Sequence, residues 1–272
     1  KKFYGPSTFR KGIEYSRNLM TVRIAKNLGI EEILNLSKEL NIYDEIPELL
    51  SVSLGAAETT LMNLTSAYAT FVNGGKKIKP NLISRIQDRR GKTIFQVENR
   101  KCLGCDKFVD DSNSFPVIEN TSEIVISEET AYQMISILKG AVERGTAKKL
   151  KSLKAPLAGK TGTTNNNYDA WFIGFTPELL VGVYVGFDEP STLGKKETGS
   201  KAALPIFYDI MKELKPNNFI PFFKPPETIK FAKISSKTGR KLSKDQRNSI
   251  NESFKLNTNI DSYNSNQILR EY

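Results

Sequence analysis

From Leu157 to Phe187 the sequence reads Leu-Ala-Gly-Lys-Thr-Gly-Thr-Thr-Asn-Asn-Asn-Tyr-Asp-Ala-Trp-Phe-Ile-Gly-Phe-Thr-Pro-Glu-Leu-Leu-Val-Gly-Val-Tyr-Val-Gly-Phe. Three strand-like runs, 157–163, 169–175 and 179–187, are separated by polar residues and by the turn Thr176-Pro177-Glu178. Neighbouring antiparallel strands are the economical reading of such a pattern. Upstream, Ser127 with Glu128 and Glu129 makes a helix start, Ala131, Ile135, Leu138 and Val142 follow at helical spacing, and Gly145 stops the helix. Before that helix lie a polar inserted loop, 98–120, and a hairpin with Ile83 and Ile86 on one arm, Asp88 to Lys92 as its turn and Ile94 on the other arm.

Nearer the start, Thr59 or Thr60 can cap an amphipathic helix that sets Leu61, Leu64, Tyr68 and Phe71 on a core face and ends at Gly74-Gly75. Pro6-Ser7-Thr8 opens a short helix, Ser16-Arg17-Asn18 stands at the start of another carrying Leu19, Val22, Ala25 and Leu28 before Gly29, and a third runs from Ile33 to Leu40. Downstream, Leu204 to Leu214 forms one more helix. Pro216, Pro221, Pro225 and Pro226 mark a linker, and the Asn- and Ser-rich stretch 248–272 reads as a mobile tail. Helices before and beside a patterned sheet predict an α+β domain, an antiparallel sheet flanked by helices.

Composition narrows the chemistry. The chain has 272 residues, 39% of them hydrophobic, enough to bury a substantial core. Its longest apolar run, Leu179 to Phe187, falls short of the roughly 20 residues that span a bilayer. The start at Lys1 has neither a methionine nor the charged-then-apolar order of a signal peptide, so the expectation is an internal piece of a longer protein. A formal charge of +10 fits solubility, an anionic polymer or surface, or nucleic acid. The tightest basic cluster, Lys148, Lys149, Lys151 and Lys154, has no interleaved aromatics, which argues against nucleic acid. With no histidine in the chain, a Ser-His-Asp or Cys-His pair cannot be built, and catalytic zinc loses its usual ligand. No metal or cofactor is expected, and any nucleophilic chemistry must move protons through lysine, a carboxylate or the backbone. Cys102 and Cys105 could form a redox pair, half a metal site or a small disulfide; the disulfide is preferred in an oxidising compartment.

Two motifs carry chemistry. Lys160-Thr161-Gly162-Thr163 lies on an expected strand, where one edge can present a cation and hydroxyls to a carboxylate and an acyl carbonyl. Gly162 lets a substrate backbone approach, and the Thr163 N–H can donate to an oxyanion. A second Lys-Thr-Gly, Lys237 to Gly239, reads as a chance match in a turn. The Ser16-Arg17-Asn18 triplet precedes the strand motif by a long interval. Each residue admits a plainer reading: Ser16 as a helix cap, Asn18 as a solvated helix-start residue, Lys160 as an exposed guard of a strand edge, Trp171 as core.

Together, Ser-x-Asn followed by Lys-Thr-Gly-Thr resembles the second and third motifs of the serine penicillin-recognising enzymes. The first motif, Ser-x-x-Lys, should precede both, yet the one literal match, Ser136-Ile137-Leu138-Lys139, lies between them on a helix and reads as ordinary helix surface. Further stretches resemble class A penicillin-binding proteins over about residues 1 to 210: Gly5-Pro-Ser-Thr-Phe-Arg, Ser16-Arg-Asn-Leu-Met-Thr-Val, Ala57-Glu-Thr-Thr-Leu, Tyr68-Ala-Thr-Phe-Val-Asn-Gly-Gly, Val142-Glu-Arg-Gly-Thr-Ala, Lys160-Thr-Gly-Thr-Thr-Asn and Asp169-Ala-Trp-Phe-Ile-Gly-Phe-Thr-Pro. The Asp88-Arg-Arg-Gly-Lys hairpin and Cys102-Leu-Gly-Cys resemble the 1A type within that class.

The resemblance implies the penicillin-binding-protein and serine β-lactamase-like transpeptidase fold, here incomplete, with residues 1–214 as the C-terminal portion of the domain and 215–272 as Pro-rich linker and polar tail. It implies a peptidoglycan D,D-transpeptidase that works through an acyl-serine and is the target of β-lactams. Ser16 would relay protons, Asn18 would hold the substrate amide, and Lys160 would support Ser16 electrostatically. Thr161 and Thr163 would bind the terminal carboxylate beside Gly162. It also implies a glycosyltransferase domain and a membrane anchor elsewhere in the parent, a periplasmic place at the bacterial inner membrane, and cell-wall assembly proteins as possible partners. A D,D-carboxypeptidase or β-lactamase-like hydrolase, or a non-catalytic cell-wall binding or penicillin-sensor module, are the competing functions.

Overall fold

In a computed structural model the described residues are 5–43, 45–98, 100–103, 105, 117–214, 220–243 and 248–260. In chain order they form α1 (Phe9–Glu14), α2 (Asn18–Leu28), α3 (Ile30–Glu39) and α4 (Leu61–Val72), then β1 (Arg85–Gln87), β2 (Thr93–Gln96), β3 (Cys102–Leu103) and β4 (Val117–Ile118). After these come α5 (Glu128–Glu143), β5 (Ala158–Thr163), β6 (Ala170–Phe175), β7 (Leu180–Val185), α6 (Ala203–Glu213), β8 (Ile229–Ser235) and β9 (Ser249–Lys255). The expected caps are in place. The Thr8 hydroxyl accepts from the Lys11 N–H, that of Thr60 from Asn63 and that of Ser127 from Thr130, each satisfying an N–H that the first helical turn leaves open.

The three runs read from sequence are β5, β6 and β7, paired antiparallel in that order with Lys160 opposite Ile173 and Ile173 opposite Gly182. The Thr176 hydroxyl accepts from the Leu179 N–H at 3.0 Å and closes the β6–β7 turn. Because side chains alternate across a strand, each sheet face has its own core. Phe172 and Val183 pack with Leu204, Phe207 and Met211 of α6, whereas Ala158 and Phe175 on the other face join Ile135 and Leu138 of α5. The antiparallel sheet is therefore flanked by helices, α6 on one face and α5 on the other, as expected from the sequence.

Two expectations need correction. On the α4 face of Leu61, Leu64, Tyr68 and Phe71, Tyr68 and Phe71 do pack against the Ile135, Leu138, Ala158 and Phe175 cluster, but Leu61 is 38% exposed, and Leu64, Tyr68 and Phe71 also line a cavity. In α2, Ala25 is buried while Leu19 and Leu28 are 56% and 60% exposed. The second correction concerns the C-terminal stretch read as a mobile tail. Its residues 249–255 are β9, paired in register with β8, and Phe231 of β8 meets Tyr132 of α5 edge to face at 6.1 Å. The strand was hidden there by its Asn and Ser content, its one buried residue being Ser253; residues 261–272 lie outside the described part of the chain.

The insertion between α4 and α5 keeps its predicted hairpin. Asp88 accepts from the N–H groups of Arg90 and Lys92 through its carboxylate and fixes the turn, and all of β1 and β2 is exposed. Cys102 and Cys105 are joined in a disulfide with a Cα–Cα separation of 5.6 Å.

Phe207 is fully buried against Phe172, ring centroids 4.9 Å apart. Phe207→Ala should lower unfolding free energy by about 3–5 kcal/mol; a urea titration showing less than about 1 kcal/mol would contradict the two-sided core.

Candidate active site

The chain leaves α1 at Glu14 and reaches α2 through Tyr15, Ser16 and Arg17. Ser16 takes φ 51°, a left-handed conformation uncommon for a residue with a Cβ. Two backbone bonds hold it: Ser16 N–H to Ile13 C=O at 3.0 Å and Arg17 N–H to Gly12 C=O at 2.8 Å. That turn directs the hydroxyl at β5, where the Lys160 ammonium donates to Ser16 Oγ at 2.8 Å and to the Thr161 carbonyl at 2.8 Å. Ser16 does not cap α2, since the cap position is Arg17 and no side chain makes a cap bond. The plainer reading of Ser16 therefore fails. Asn18 opens α2 with an exposed side chain that makes no hydrogen bond among the described residues.

Nor is Lys160 an edge guard in solvent. Its stem lines a cavity of about 260 Å³ together with Ile13, Leu40, Tyr68, Phe71 and Leu138. Burial in these surroundings lowers its pKa to about 8, and the same cause pushes the Tyr68 phenol up to about 12. Lys160 is mostly cationic at neutral pH yet releases its proton well before an ordinary lysine would. It can stabilise charge on a neighbouring oxygen and pass a proton through Ser16.

Further along β5, Thr161 and Thr163 stand two residues apart, on one face of the strand. The Thr161 and Thr146 hydroxyls share a 3.0 Å hydrogen bond, and Thr163 Oγ1 accepts from the Gly199 N–H at 3.0 Å. A hydroxyl that accepts still has its own proton to donate, so Thr163 keeps a donor for an anionic group. Gly162 lies between them, where a Cβ would stand 3.0 Å from that of Trp171. Trp171 is half-buried and stacks at 4.7 Å on Tyr184, whose hydroxyl donates to Asp169 at 2.8 Å. Ser16 and Lys160 are thus brought together at β5; Thr161 and Thr163 follow on the same strand with their side chains on the face opposite that of Lys160, and Asn18 stands at the neighbouring helix start. Thr146 and Gly199 were given no role by sequence reasoning. Thr146 lay inside a quoted stretch, Val142 to Ala147, but its partner is 15 residues away and appears only in the fold.

The decoys are explained by their surroundings. Ser136 is engaged on α5, its hydroxyl and carbonyl both accepting from Arg10, and Lys139 pairs with Glu143. Lys237, Thr238 and Gly239 lie in a turn after β8 whose N–H groups bond to Ser235.

The family model of the penicillin-binding protein transpeptidase domain matches residues 1–212. The chain belongs to the penicillin-binding protein transpeptidase family. Among relatives, it is 44% identical to penicillin-binding protein 1A of Rickettsia conorii over 244 residues, covering 88% of this chain and 30% of that protein. With penicillin-binding protein 1A of Pseudomonas aeruginosa it shares 32% identity, covering 93% of this chain and 34% of the relative. The crystal structure of penicillin-binding protein 1A from Haemophilus influenzae superposes with a TM-score of 0.79 at 28% identity, covering 94% of this chain and 41% of that one. The PonA1 protein of Mycobacterium tuberculosis in complex with penicillin V shares the fold, with a TM-score of 0.63 at 21% identity over 83% of this chain and 61% of that one. The chain thus has the transpeptidase fold of the penicillin-binding proteins and spans about a third of the length of the relatives named, 30% and 34%.

Lys160 yields a measurable consequence. Amine-selective labelling followed by peptide mass spectrometry should show its reactivity rising with a midpoint near pH 8, where burial places its pKa. An ordinary lysine amine has a pKa of about 10.4. A Lys160 midpoint at that value would remove the case for a desolvated ammonium.

Proposed function

We propose that this chain belongs to a bacterial peptidoglycan D,D-transpeptidase of the class A type, contributing the proton relay and substrate strand of the acyl-transfer site. The observation that carries this reading is the 2.8 Å hydrogen bond from Lys160 to Ser16, which joins two motifs 144 residues apart. The family match and the relatives named penicillin-binding protein 1A support it.

In this reading a serine of a Ser-x-x-Lys segment elsewhere in the parent attacks the carbonyl of the penultimate D-alanine of a stem peptide. The C–N bond of the terminal amide breaks, and D-alanine leaves after its amine takes a proton through Ser16. The amine of a second stem peptide then attacks the ester, releases its proton and regenerates the serine. Lys160 holds the Ser16 oxygen and compensates charge that builds there; Asn18, at the start of α2, accepts or donates to the stem-peptide amide. Thr161 and Thr163 take the terminal carboxylate, Gly162 lets the substrate backbone lie along β5, and the Thr163 N–H gives half of the oxyanion hole. A β-lactam enters the same path and stops at the ester, in keeping with neighbours of this fold solved with penicillin V and as an imipenem acyl-enzyme. No cofactor or metal takes part. The parent is placed at the periplasmic face of the inner membrane through an anchor outside this chain; among the described residues no helix is long and apolar enough to cross a membrane.

The test is covalent labelling by fluorescent penicillin. The parent should label, this chain alone should not, and Ser16→Ala or Lys160→Ala in the parent should slow acylation by about a hundredfold or more. Wild-type rates in both variants would remove the assigned roles, and an intact parent that never labels would favour a wall-binding scaffold. If it labels but releases the acyl group to water with no amine acceptor used, a hydrolase replaces the transpeptidase.

A further inference from the structure

The family match ends at residue 212, and the β8–β9 hairpin lies beyond it. Even so, Glu252 of β9 reaches α1. Arg10 donates from Nε to Glu252 Oε2 at 2.5 Å and from Nη2 to Glu252 Oε1, a two-pronged pair with a guanidinium only 5% exposed. Its remaining N–H groups go to the Ser136 carbonyl at 2.8 Å, the Ser136 hydroxyl at 3.0 Å and the Glu14 carboxylate at 3.5 Å. Glu14 in turn takes Arg144 Nη2 at 2.7 Å, and its carbonyl accepts from the Thr146 N–H at 3.1 Å. Ser16 is two residues further on, in a left-handed backbone state that survives only where its surroundings over-determine it.

We propose that Glu252 is a positioning residue for Ser16: the hairpin beyond the family domain clamps α1 through Arg10 and so keeps the Ser16 hydroxyl against Lys160. Without the Glu252 charge, Arg10 keeps the Glu14 carboxylate at 3.5 Å and the Ser136 oxygens but loses its two-pronged anchor on β9. A looser hold on Arg10 lets α1 shift, and the Ser16 turn moves with it. Shifts of about 1 Å at a reacting group cost up to about a hundredfold in rate. The catalytic part of this inference rests on the role proposed above for Ser16; the clamp itself does not.

The experiment compares Glu252→Gln with Phe231→Ala, which removes the hairpin's edge-to-face contact with Tyr132 and leaves Arg10 untouched. In the parent protein, Glu252→Gln should slow penicillin acylation by about ten- to a hundredfold, while Phe231→Ala lowers Tm and leaves the rate alone. In this chain by itself, Glu252→Gln should move the labelling midpoint of Lys160 up toward the ordinary lysine value of about 10.4, because α1 carries Ile13, which lines the cavity that keeps water from Lys160. Wild-type acylation and an unchanged midpoint in Glu252→Gln overturn the clamp, as does equal slowing in Phe231→Ala, which would mean that the hairpin only adds stability. Should Glu252→Gln fail to fold, Glu252→Asp keeps the charge and draws it back by one carbon; a folded Glu252→Asp with wild-type rate and midpoint also overturns it. If the wild-type parent takes no penicillin, the acyl-transfer reading falls, and the Lys160 midpoint still decides the clamp.

Discussion

An ammonium placed largely out of water beside an apolar cavity needs oxygen acceptors at fixed positions, and Lys160 finds two, the Ser16 hydroxyl and the Thr161 carbonyl. Much of the domain serves that requirement. The β5–β6–β7 pairing fixes where the Lys160 stem emerges, α4 and α5 supply the apolar wall, and the α1–α2 turn brings the hydroxyl to it. The same desolvation that makes the two hydrogen bonds necessary loosens the proton. Structural demand and chemical capacity have one cause.

The α1–α2 turn depends on close approach to the end of α5. A Cβ at 145 would collide with the Glu14 backbone carbonyl, and the bare Cα of Gly140 leaves room for the Glu14 carboxylate and the Arg144 guanidinium. The contact zone also encloses charges, Arg10 and Glu14 being 5% and 3% exposed. Such networks add little net stability compared with a well-packed apolar substitute, but breaking one member is costly. A charge network therefore suits a place where geometry matters more than stability.

The insertion between α4 and α5 follows a different logic. Its two hairpins bury almost no apolar surface: β1 and β2 are exposed throughout, with Ile86 opposite Phe95. An isolated two-stranded hairpin is marginal in water, and here the order comes from local devices. The Asp88 carboxylate closes the β1–β2 turn, a disulfide joins Cys102 to Cys105, and Glu98 bonds with Arg100, which holds its carboxyl down at about 2.

Local pattern was sufficient for the helices and for the central sheet. Ala131, Ile135, Leu138 and Val142 declared the buried face of α5, and three strand-like runs with short connections left antiparallel pairing as the simple choice. Motif spacing also named Ser16 and Lys160 as candidates. Whether they meet, that Ser16 is freed from capping, and that Lys160 is desolvated depend on contacts between residues 144 apart, which no local pattern encodes. The C-terminal hairpin was missed for a related reason: Ser249 to Lys255 is polar enough to read as a tail and becomes a strand through β8, Gln133 and Arg10. The sequence by itself determined the elements and the chemical groups available, because propensity, capping and alternation act over a few residues. Only the tertiary structure decided which groups share a low-dielectric site, because burial and the directions of hydrogen bonds are properties of the packed chain.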